Sequence, residues 1–376
     1  MDVNHAQRAH AKLSASGSAM WINCPGSIKA NDGLVDKGSI FAAEGTAAHE
    51  LAEICLSNDT SAHDYVGDII SGFEVTNDMA DHVQSYVDYV RNISGEHHYE
   101  VRVDFSKYVP GGFGTSDAVV LDGDTIHCID LKFGRGVPVY AEQNSQGLLY
   151  ALGAYEMFNV FGDDFKRVKI HIIQPRIGNY SDWELSIDEL LKWGEFVSER
   201  AQLALSDNPE RVAGEKQCKW CKAKATCKAL SDYTNKIITA EFEDLTPTKD
   251  ANQLDDDQVA EVLAHKSLIT EWLNAVEQHA FDKLERGESV KGFKLVAGRS
   301  VRKWSDNAEQ VLAEQLGDQA YDKKLIGIGA AEKIIGKKQL ADLDITVKPD
   351  GKPTIVPETD KRQALDNVAD CFDNVN

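Results

Sequence analysis

The sequence of 376 residues predicts an α/β fold, in which a mixed central sheet is flanked by helices and followed by a mostly helical C-terminal region. Three observations predict it. Two proline-free helical stretches precede a β-rich block, strand and helix patterns then mix, and beyond about residue 240 helical segments are separated by acidic loops. We therefore expect two domains, residues 1–240 and 241–376, with a linker at residues 241–252.

The elements follow in order along the chain. Residues 40–56 and about 79–93 are predicted helices, because they contain no proline and have helical texture. Residues 99–104 alternate, with Tyr99, Val101 and Val103 on one face, which predicts a strand. Residues 118–121 and 125–132 surround an Asp-Gly-Asp turn, which predicts a hairpin. Later predictions are a helix at 144–160, a strand at 168–173, a helix at 187–205 and a short strand-like segment at 293–301.

The charge of the chain limits its partners. The 61 acidic and 40 basic side chains give a formal net charge of -21, which opposes nonspecific attraction to a polyanion, so any nucleic-acid contact has to be local. No apolar run approaches the ~20 residues of a membrane-spanning helix, and residues 1–13 lack the apolar core of a signal peptide. We therefore expect no membrane contact and a cytoplasmic location, in a bacterium or an infected host cell.

The predicted hairpin carries three side chains that suit metal-assisted chemistry. Asp130 and Lys132 are two residues apart on a strand, so their side chains lie on the same face. Asp117 lies opposite Asp130 if the two-residue loop is Gly123-Asp124, and diagonal to it on the same face if the loop is Asp122-Gly123. Two adjacent carboxylates repel each other unless a cation lies between them, and carboxylate oxygens suit Mg²⁺ or Mn²⁺. Lys132 could then stabilise the charge that builds on a phosphate. The alternative is a surface Asp-Lys pair on an edge strand.

Two helical pairs accompany the hairpin. His49 and Glu53 are four apart on the first helix, so the imidazole could supply a third metal ligand, with Glu53 holding the ring. Gln146 and Tyr150 are four apart on the helix after the hairpin and could hold a phosphate or orient Lys132. The alternatives are that His49, taken singly, is a helix-surface or packing histidine and that the second pair is a half-buried polar pair at a helix edge.

The ordered set of motifs resembles the RecB-type nuclease branch of the PD-(D/E)xK superfamily. The motifs are Gly45-x-x-x-His49-x-x-x-Glu53, Gly114-x-x-Asp117, Asp130-x-Lys132 and Gln146-x-x-x-Tyr150. The resemblance covers about residues 20–230 and implies a restriction-endonuclease-like core. It further implies that His49, Asp117 and Asp130 hold divalent metal, that Lys132 is catalytic, and that Gln146 and Tyr150 contact DNA. Ser116 stands where the superfamily motif has proline, Asp130 where many relatives have glutamate, and Glu100 is a further acidic candidate.

The function implied by this resemblance is a metal-dependent deoxyribonuclease. By analogy it is an exonuclease that acts on DNA ends or single strands, and the whole chain resembles phage-associated proteins with a nuclease-like domain. We therefore expect a role in phage DNA recombination, repair or replication, with a recombination or single-strand-binding protein as a further possible partner. The alternative is a noncatalytic DNA-binding or recombination-partner module that keeps the nuclease fold.

The cysteines predict a second metal site. Their number, seven, is odd and argues against a disulfide framework. Cys218, Cys221 and Cys227 lie in one short stretch, and a closed four-cysteine site needs a fourth ligand, for which Cys24 in its turn-forming segment is the candidate. This pattern is similar to the iron-sulfur staple of AddB-like nucleases and of CRISPR-adaptation nucleases, and so implies a [4Fe-4S] cluster. Zinc is the alternative.

The segment around these cysteines is the most basic of the chain. Residues 211–228 hold six basic side chains against Glu215 alone, with Trp220 between the first two cysteines. Two interpretations stay open: a surface for single-stranded DNA, or solvated lysines around a packed tryptophan. Residues 325–336 are interpreted as a helix with glycine caps, and the sequence assigns no function to the C-terminal third.

Overall fold

The computed structural model confirms the predicted fold class. It describes residues 11–34, 40–159, 164–243 and 256–296, and beyond these 305, 307–316, 320–321, 326–336, 339–340, 343 and 345–347. Two compact units are present, residues 1–288 and residues 289–376. The first compact unit continues to Glu288. The predicted domain boundary at residue 240 lies within this unit and stays a prediction. None of the described helices is long and apolar enough to cross a membrane.

A five-stranded mixed sheet forms the centre of the first unit, with its strands in sequence order. The third and fourth of these strands run parallel, and the other three pairs are antiparallel. The strands are β3 (Glu96–Asp104), β4 (Phe113–Asp122), β5 (Thr125–Leu131), β6 (Arg167–Gln174) and β7 (Asn179–Ser186), and a small separate pair is formed by β1 (Ile69–Ile70) and β2 (Phe73–Glu74).

Helices cover both faces of this sheet. One face, here called the α3 face, buries Ile129 and Leu131 against α3 (Ile40–Asn58) and α4 (Asn77–Arg91). The other, the α5 face, buries Val119, Ile126 and Cys128 against further helices. These helices are α1 (Ser18–Asn23), α5 (Ser145–Phe158) and α6 (Ile187–Leu205). Because successive residues of a strand point to opposite faces, the central β5 is buried on both sides, and two cores form.

The structure shows which two residues form the loop of the hairpin. Asp122 pairs with Thr125, so the two-residue loop is Gly123-Asp124, and the left-handed φ of +57° at Gly123 explains the glycine there. This register places Asp117 opposite Asp130. The hairpin and the helices at residues 40–56, 79–93, 144–160 and 187–205 are thus confirmed within a few residues at each end.

The prediction for β3 was wrong in one respect. Val101 and Val103 belong to the α5 face, but Tyr99 packs with the core of the α3 face. Between them Glu100 has φ +50°, a conformation that turns the strand and shifts its side chains to the other face. Simple alternation therefore fails at this residue, which also lies beside the candidate site.

Two other predictions need correction. The strand-like segment at 293–301 is not a strand where it is described, because residues 294–296 have no regular structure and Phe293 forms only an isolated bridge with Val290. Strand β7 was not predicted, because most of its residues are polar and only Leu185 is buried. In the second unit, α10 (Ala308–Leu316) and α11 (Ile328–Ile335) are helices, and α11 ends at Gly336 with φ +86°, as the glycine-cap interpretation predicted.

The cysteine-rich segment is built from short helices and supported by a long one. These are α7 (Glu215–Cys218), α8 (Lys228–Glu243) and α9 (Asp256–Glu285). Cys218 and Leu230 form a small apolar cluster with Leu268 of α9, and Trp272 packs against it. The ion pair of Lys224 with Glu271, at 3.6 Å, joins the same elements. Helix α9 therefore belongs structurally with the cysteine loop.

Three hydrogen-bonded rings join α4 to the sheet: His171 is buried, and Tyr89 and His127 are half-buried. His171 is 3% exposed, its Nε2 lies 2.9 Å from His127 Nδ1, and its Nδ1 lies 2.9 Å from the Tyr89 hydroxyl. Burial and the neighbouring His127 lower the pKa of His171 to about 3, and burial also lowers the pKa of His127. Both rings are thus neutral in the folded protein at neutral pH.

These rings predict acid sensitivity of the fold. In the unfolded chain His171 titrates at about 6.5, so between that pH and about 3 only the unfolded state binds the proton, and stability falls as the pH is lowered. Between pH 7 and pH 5 we expect His171 to account for a loss of about 2 kcal/mol in the free energy of unfolding. His171→Gln keeps polar partners without titrating, so urea unfolding at both pH values should show a smaller loss. Equal losses in both proteins would contradict this.

Candidate metal-binding and catalytic site

His49 and Asp117 meet although they come from different elements. The imidazole of His49 extends from α3, and its Nδ1 lies 3.2 Å from Asp117 Oδ1 on β4. The second oxygen of Asp117 accepts the backbone N–H of Leu131 at 2.8 Å, which fixes the carboxylate against β5. The side chains of His49 and Asp117 are 26% and 15% exposed. The packing-histidine interpretation of His49 therefore gives way to a contact with a buried carboxylate.

Asp130, Lys132 and Gln146 form the other half of the site. Lys132 Nζ lies 2.7 Å from Asp130 Oδ2 and donates to Gln146 Oε1 at 3.0 Å. The amide nitrogen of Gln146 donates to Asp130 Oδ1 at 3.2 Å. The side chain of Asp130 is 6% exposed and that of Lys132 is 27% exposed. Asp130 and Lys132 are thus not a surface pair on an edge strand, because β5 lies between β4 and β6.

Tyr150 continues the line of contacts from Gln146. Its hydroxyl accepts a hydrogen bond from Gln146 Nε2 at 3.1 Å, and the residue is 7% exposed. Burial and the charge of Asp130 raise the pKa of Tyr150. Gly114 lies directly against the ring, because a Cβ there would approach Tyr150 Cε1 to 2.7 Å. The glycine of the Gly114-x-x-Asp117 motif therefore makes room for the tyrosine.

The two carboxylates differ in their preference for the proton. Burial acts to raise the pKa of Asp117, but the charge and hydrogen bond of His49 and the Leu131 N–H outweigh it and hold that pKa below its usual value. For Asp130 burial prevails, and despite Lys132 the pKa is raised, with the charge of Asp117 adding to the rise. Burial lowers the pKa of His49, yet the adjacent Asp117 raises it overall.

The donor set suits a hard divalent cation. Two carboxylates lie on the neighbouring strands β4 and β5, the imidazole of His49 contacts one of them, and the ammonium of Lys132 contacts the other. The raised pKa of Asp130 means that additional positive charge here would favour the ionised carboxylate. As they stand, no three His, Cys, Asp or Glu side chains in the described part of the chain are close enough together to hold a metal ion. His49 and Asp117 instead contact each other.

A small cleft beside His49 and Asp117 brings in the remaining candidates. Glu53 and Glu100 both line it, and so does Tyr86 of α4, which sequence reasoning missed. Tyr86 is 1% exposed, and its hydroxyl is buried without a hydrogen-bond partner in the described structure. Burial and the charges of Asp117 and Asp130 raise its pKa well above the usual value. Nothing in the sequence around Tyr86 distinguishes it from a core tyrosine.

The unpartnered hydroxyl of Tyr86 leads to a prediction about stability. Tyr86→Phe removes this buried hydroxyl, so the free energy of unfolding should rise by about 1 kcal/mol. Tyr108→Phe is the matched control: the Tyr108 hydroxyl donates to Glu156 at 2.8 Å, so its loss should destabilise the protein instead. If Tyr86→Phe were the less stable variant, this interpretation would be wrong.

The chain segments that carry the four predicted cysteines come together at a second place, although no three of the described metal-ligating side chains are arranged to hold an ion. Backbone N–H groups point at their sulfurs: Val212 donates to Cys24 Sγ at 3.2 Å, and Gly214 donates to Cys218 Sγ at 3.5 Å. Asn31 of α2 (Ser27–Asn31) donates to Cys221 Sγ at 3.5 Å. The six described cysteines, which include Cys227, are all free thiols. The sequence thus brings residue 24 to a loop nearly 200 positions later.

The electrostatics of this cluster fit a thiophilic metal. Burial raises the pKa values of Cys24 and Cys218, and the charges of the other cysteines raise them further against the effect of the backbone N–H groups. Buried thiols that disfavour ionisation, as Cys24 and Cys218 do, are stabilised as thiolates by a cation or cluster. The donor set suits both a [4Fe-4S] cluster and zinc.

Comparison with known proteins places the chain in a family. A family model described as protein of unknown function (DUF2800) matches residues 10–363. The chain belongs to the DUF2800 family. This DUF2800 protein is also similar to the crystal structure of SSO0001, with 14% sequence identity over 59% of this chain and 88% of that chain, and a TM-score of 0.27. At that TM-score the likeness supports no functional argument. The function of the DUF2800 protein has to be argued from its own side chains.

Proposed function

We propose that this chain is a divalent-metal-dependent deoxyribonuclease of the PD-(D/E)xK type, RecB-like in its motifs. The single observation that carries the proposal is the pair of contacts on the neighbouring strands β4 and β5, His49 with Asp117 and Lys132 with Asp130. A noncatalytic DNA-binding module is less well supported, because buried carboxylates repel phosphate and cost stability unless a cation offsets them.

Each side chain has a distinct task in this proposal. Asp117, Asp130 and His49 would hold Mg²⁺ or Mn²⁺, and the bound ion would supply the positive charge that activates water and offsets charge on the phosphate. Lys132 would place its ammonium beside the phosphate oxygen on which charge increases. Gln146 accepts from Lys132 and donates to Asp130, so it positions both groups.

The substrate and the second site follow from the resemblance. We propose DNA ends or single strands as the substrate, cleaved in an exonucleolytic manner, in the context of phage DNA metabolism. Tyr150 is buried against Gly114, so its proposed contribution to DNA binding acts through Gln146. Cys24, Cys218, Cys221 and Cys227 would hold a [4Fe-4S] cluster, with zinc as the alternative.

A direct assay tests the proposal. End-labelled single-stranded and double-stranded DNA is incubated with Mg²⁺ or Mn²⁺ and with either the wild-type protein or Lys132→Ala. The wild type should shorten the labelled strand in a metal-dependent manner, and Lys132→Ala should not. Uncut DNA with both metals, or equal cleavage by the two proteins, would refute the nuclease proposal.

Gly45 offers a test that does not touch a polar side chain. It lies in the middle of α3, where glycine costs about 1 kcal/mol relative to alanine, and a Cβ there would meet no atom within 4 Å. Since it is one turn before His49, its open face lies where a DNA backbone would approach. Gly45→Leu should keep or raise the melting temperature and lower cleavage about tenfold or more. Ala43→Leu, exposed on another face of α3, should leave cleavage unchanged.

A further inference from the structure

Trp220 is the exposed tryptophan of the described structure. It is 75% exposed, whereas Trp21 is fully buried and Trp183, Trp193 and Trp272 are partly buried. It lies between Cys218 and Cys221, so the cysteine site holds its backbone on both sides. The interpretation of a packed tryptophan is therefore wrong for this loop. A large indole that is exposed to water has an apolar face available for a ligand.

Positive charge surrounds this indole in a protein that is otherwise strongly acidic. The ammonium of Lys219 lies 5.5 Å from the centroid of the Trp220 ring. Lys216 and Lys222 are exposed in the same loop. Arg211 is also exposed, and the chain that follows it wraps the thiols through Val212. Lys224 and Lys228 of the same segment form ion pairs with Glu271 and Asp232.

We propose that this loop, residues 211–222, binds single-stranded DNA, with a base stacked on Trp220 and phosphates beside Arg211 and Lys216. This inference rests on the proposed function for its choice of DNA and adds a binding surface outside the metal-binding and catalytic site. Stacking requires a base that is free on one face, so it favours a single strand over a duplex. The net charge of -21 makes a local basic surface necessary for any such contact.

The loop is connected to the candidate site through α1. Cys24 follows directly after this helix, and the Ser18 hydroxyl of α1 lies 2.7 Å from the hydroxyl of Ser145, the residue before Gln146. A DNA strand bound by the loop is therefore bound beside α1, which contacts the N-terminus of α5. The surface belongs to the same compact unit as the catalytic candidates.

Binding can be measured without cleavage. Labelled oligo(dT) of about 15 nucleotides is titrated, in the absence of divalent metal, into full-length Lys132→Ala protein and followed by fluorescence anisotropy. Adding Trp220→Ala should weaken binding about tenfold, whereas Trp220→Tyr should keep most of the affinity. Arg211→Gln and Lys216→Gln should each reduce the slope of log affinity against log salt by about 0.7. Phe196→Ala, which removes a 46% exposed aromatic from α6, is the matched control and should change nothing.

Two further arms separate stacking from charge and from misfolding. Heparin, a polyanion without bases, should bind wild type and Trp220→Ala equally, and a blunt duplex should be insensitive to Trp220. Oligo(dT) should quench part of the intrinsic fluorescence in the wild type and not in Trp220→Phe, a readout that does not depend on Trp220→Ala folding. Unchanged affinity of Trp220→Ala with wild-type metal content, or equal quenching in Trp220→Phe, would overturn the inference. Trp220-dependent binding without any cleavage would refute only the nuclease proposal.

Discussion

Asp130→Ala and Lys132→Ala are both expected to abolish cleavage, by about a thousandfold or more, but they should differ in their response to divalent metal. In the wild type, Mg²⁺ or Mn²⁺ at a hundredfold excess over Kd should add about 2.7 kcal/mol to the free energy of unfolding. Lys132→Ala should keep that stabilisation, because it removes a positive charge that repels the cation. Asp130→Ala should lose it, because it removes a carboxylate that we assign to the metal.

The metal-free stability of these variants is the internal control. The raised pKa of Asp130 means that folding disfavours its ionised form, so Asp130→Ala should not unfold the protein. Thermal unfolding without metal measures the stability of each variant, and unfolding with metal measures the stabilisation by the cation. The cleavage assay measures activity. Full metal stabilisation in Asp130→Ala would remove Asp130 from the metal site, and its loss in Lys132→Ala would show that Lys132 has a structural role.

The sequence predicts those parts of the fold in which local signals agree. The hairpin of β4 and β5 has a turn sequence between two apolar-rich runs, and α6 begins with a capping box at Ser186 and Glu189, so both are predicted closely. Strand β7 has no such signal, because its position is decided by pairing with β6 along its whole length. The change of side-chain face at Glu100 depends on its left-handed φ, which a glutamate at this position does not predict.

The candidate site likewise has parts that the sequence predicts and parts that it does not. The proximity of Asp117, Asp130 and Lys132 follows from strand register, which the sequence limits to two values that both bring them together. The approach of His49 to Asp117 depends on how α3 packs on the sheet, which helical periodicity alone does not determine. Tyr86 was missed because its hydroxyl is unusual only in three dimensions, where it is buried beside two carboxylates without a partner.

The cysteine site should contribute a large part of the stability of the first unit. A metal or cluster that links Cys24 to Cys218 closes a loop of nearly 200 residues, and in the chain-entropy model such a cross-link contributes about 5 kcal/mol. Cys218→Ala should therefore lower the melting temperature by about 10–20 °C and release the bound metal, and it should lower cleavage because α1 supports the start of α5.

Cys55→Ala is the matched control for that loss, because Cys55 is also fully buried but lies in the core of the α3 face. It removes the same sulfur and should cost about 1 kcal/mol with the metal retained. Metal analysis and visible absorption of anaerobically purified wild type then separate the two candidates, since a [4Fe-4S] cluster is brown and zinc is colourless. Equal melting temperatures for Cys218→Ala and Cys55→Ala would mean that the four thiols hold no cross-linking metal. The loop that carries Trp220 would then lack the rigid support that its proposed stacking role requires.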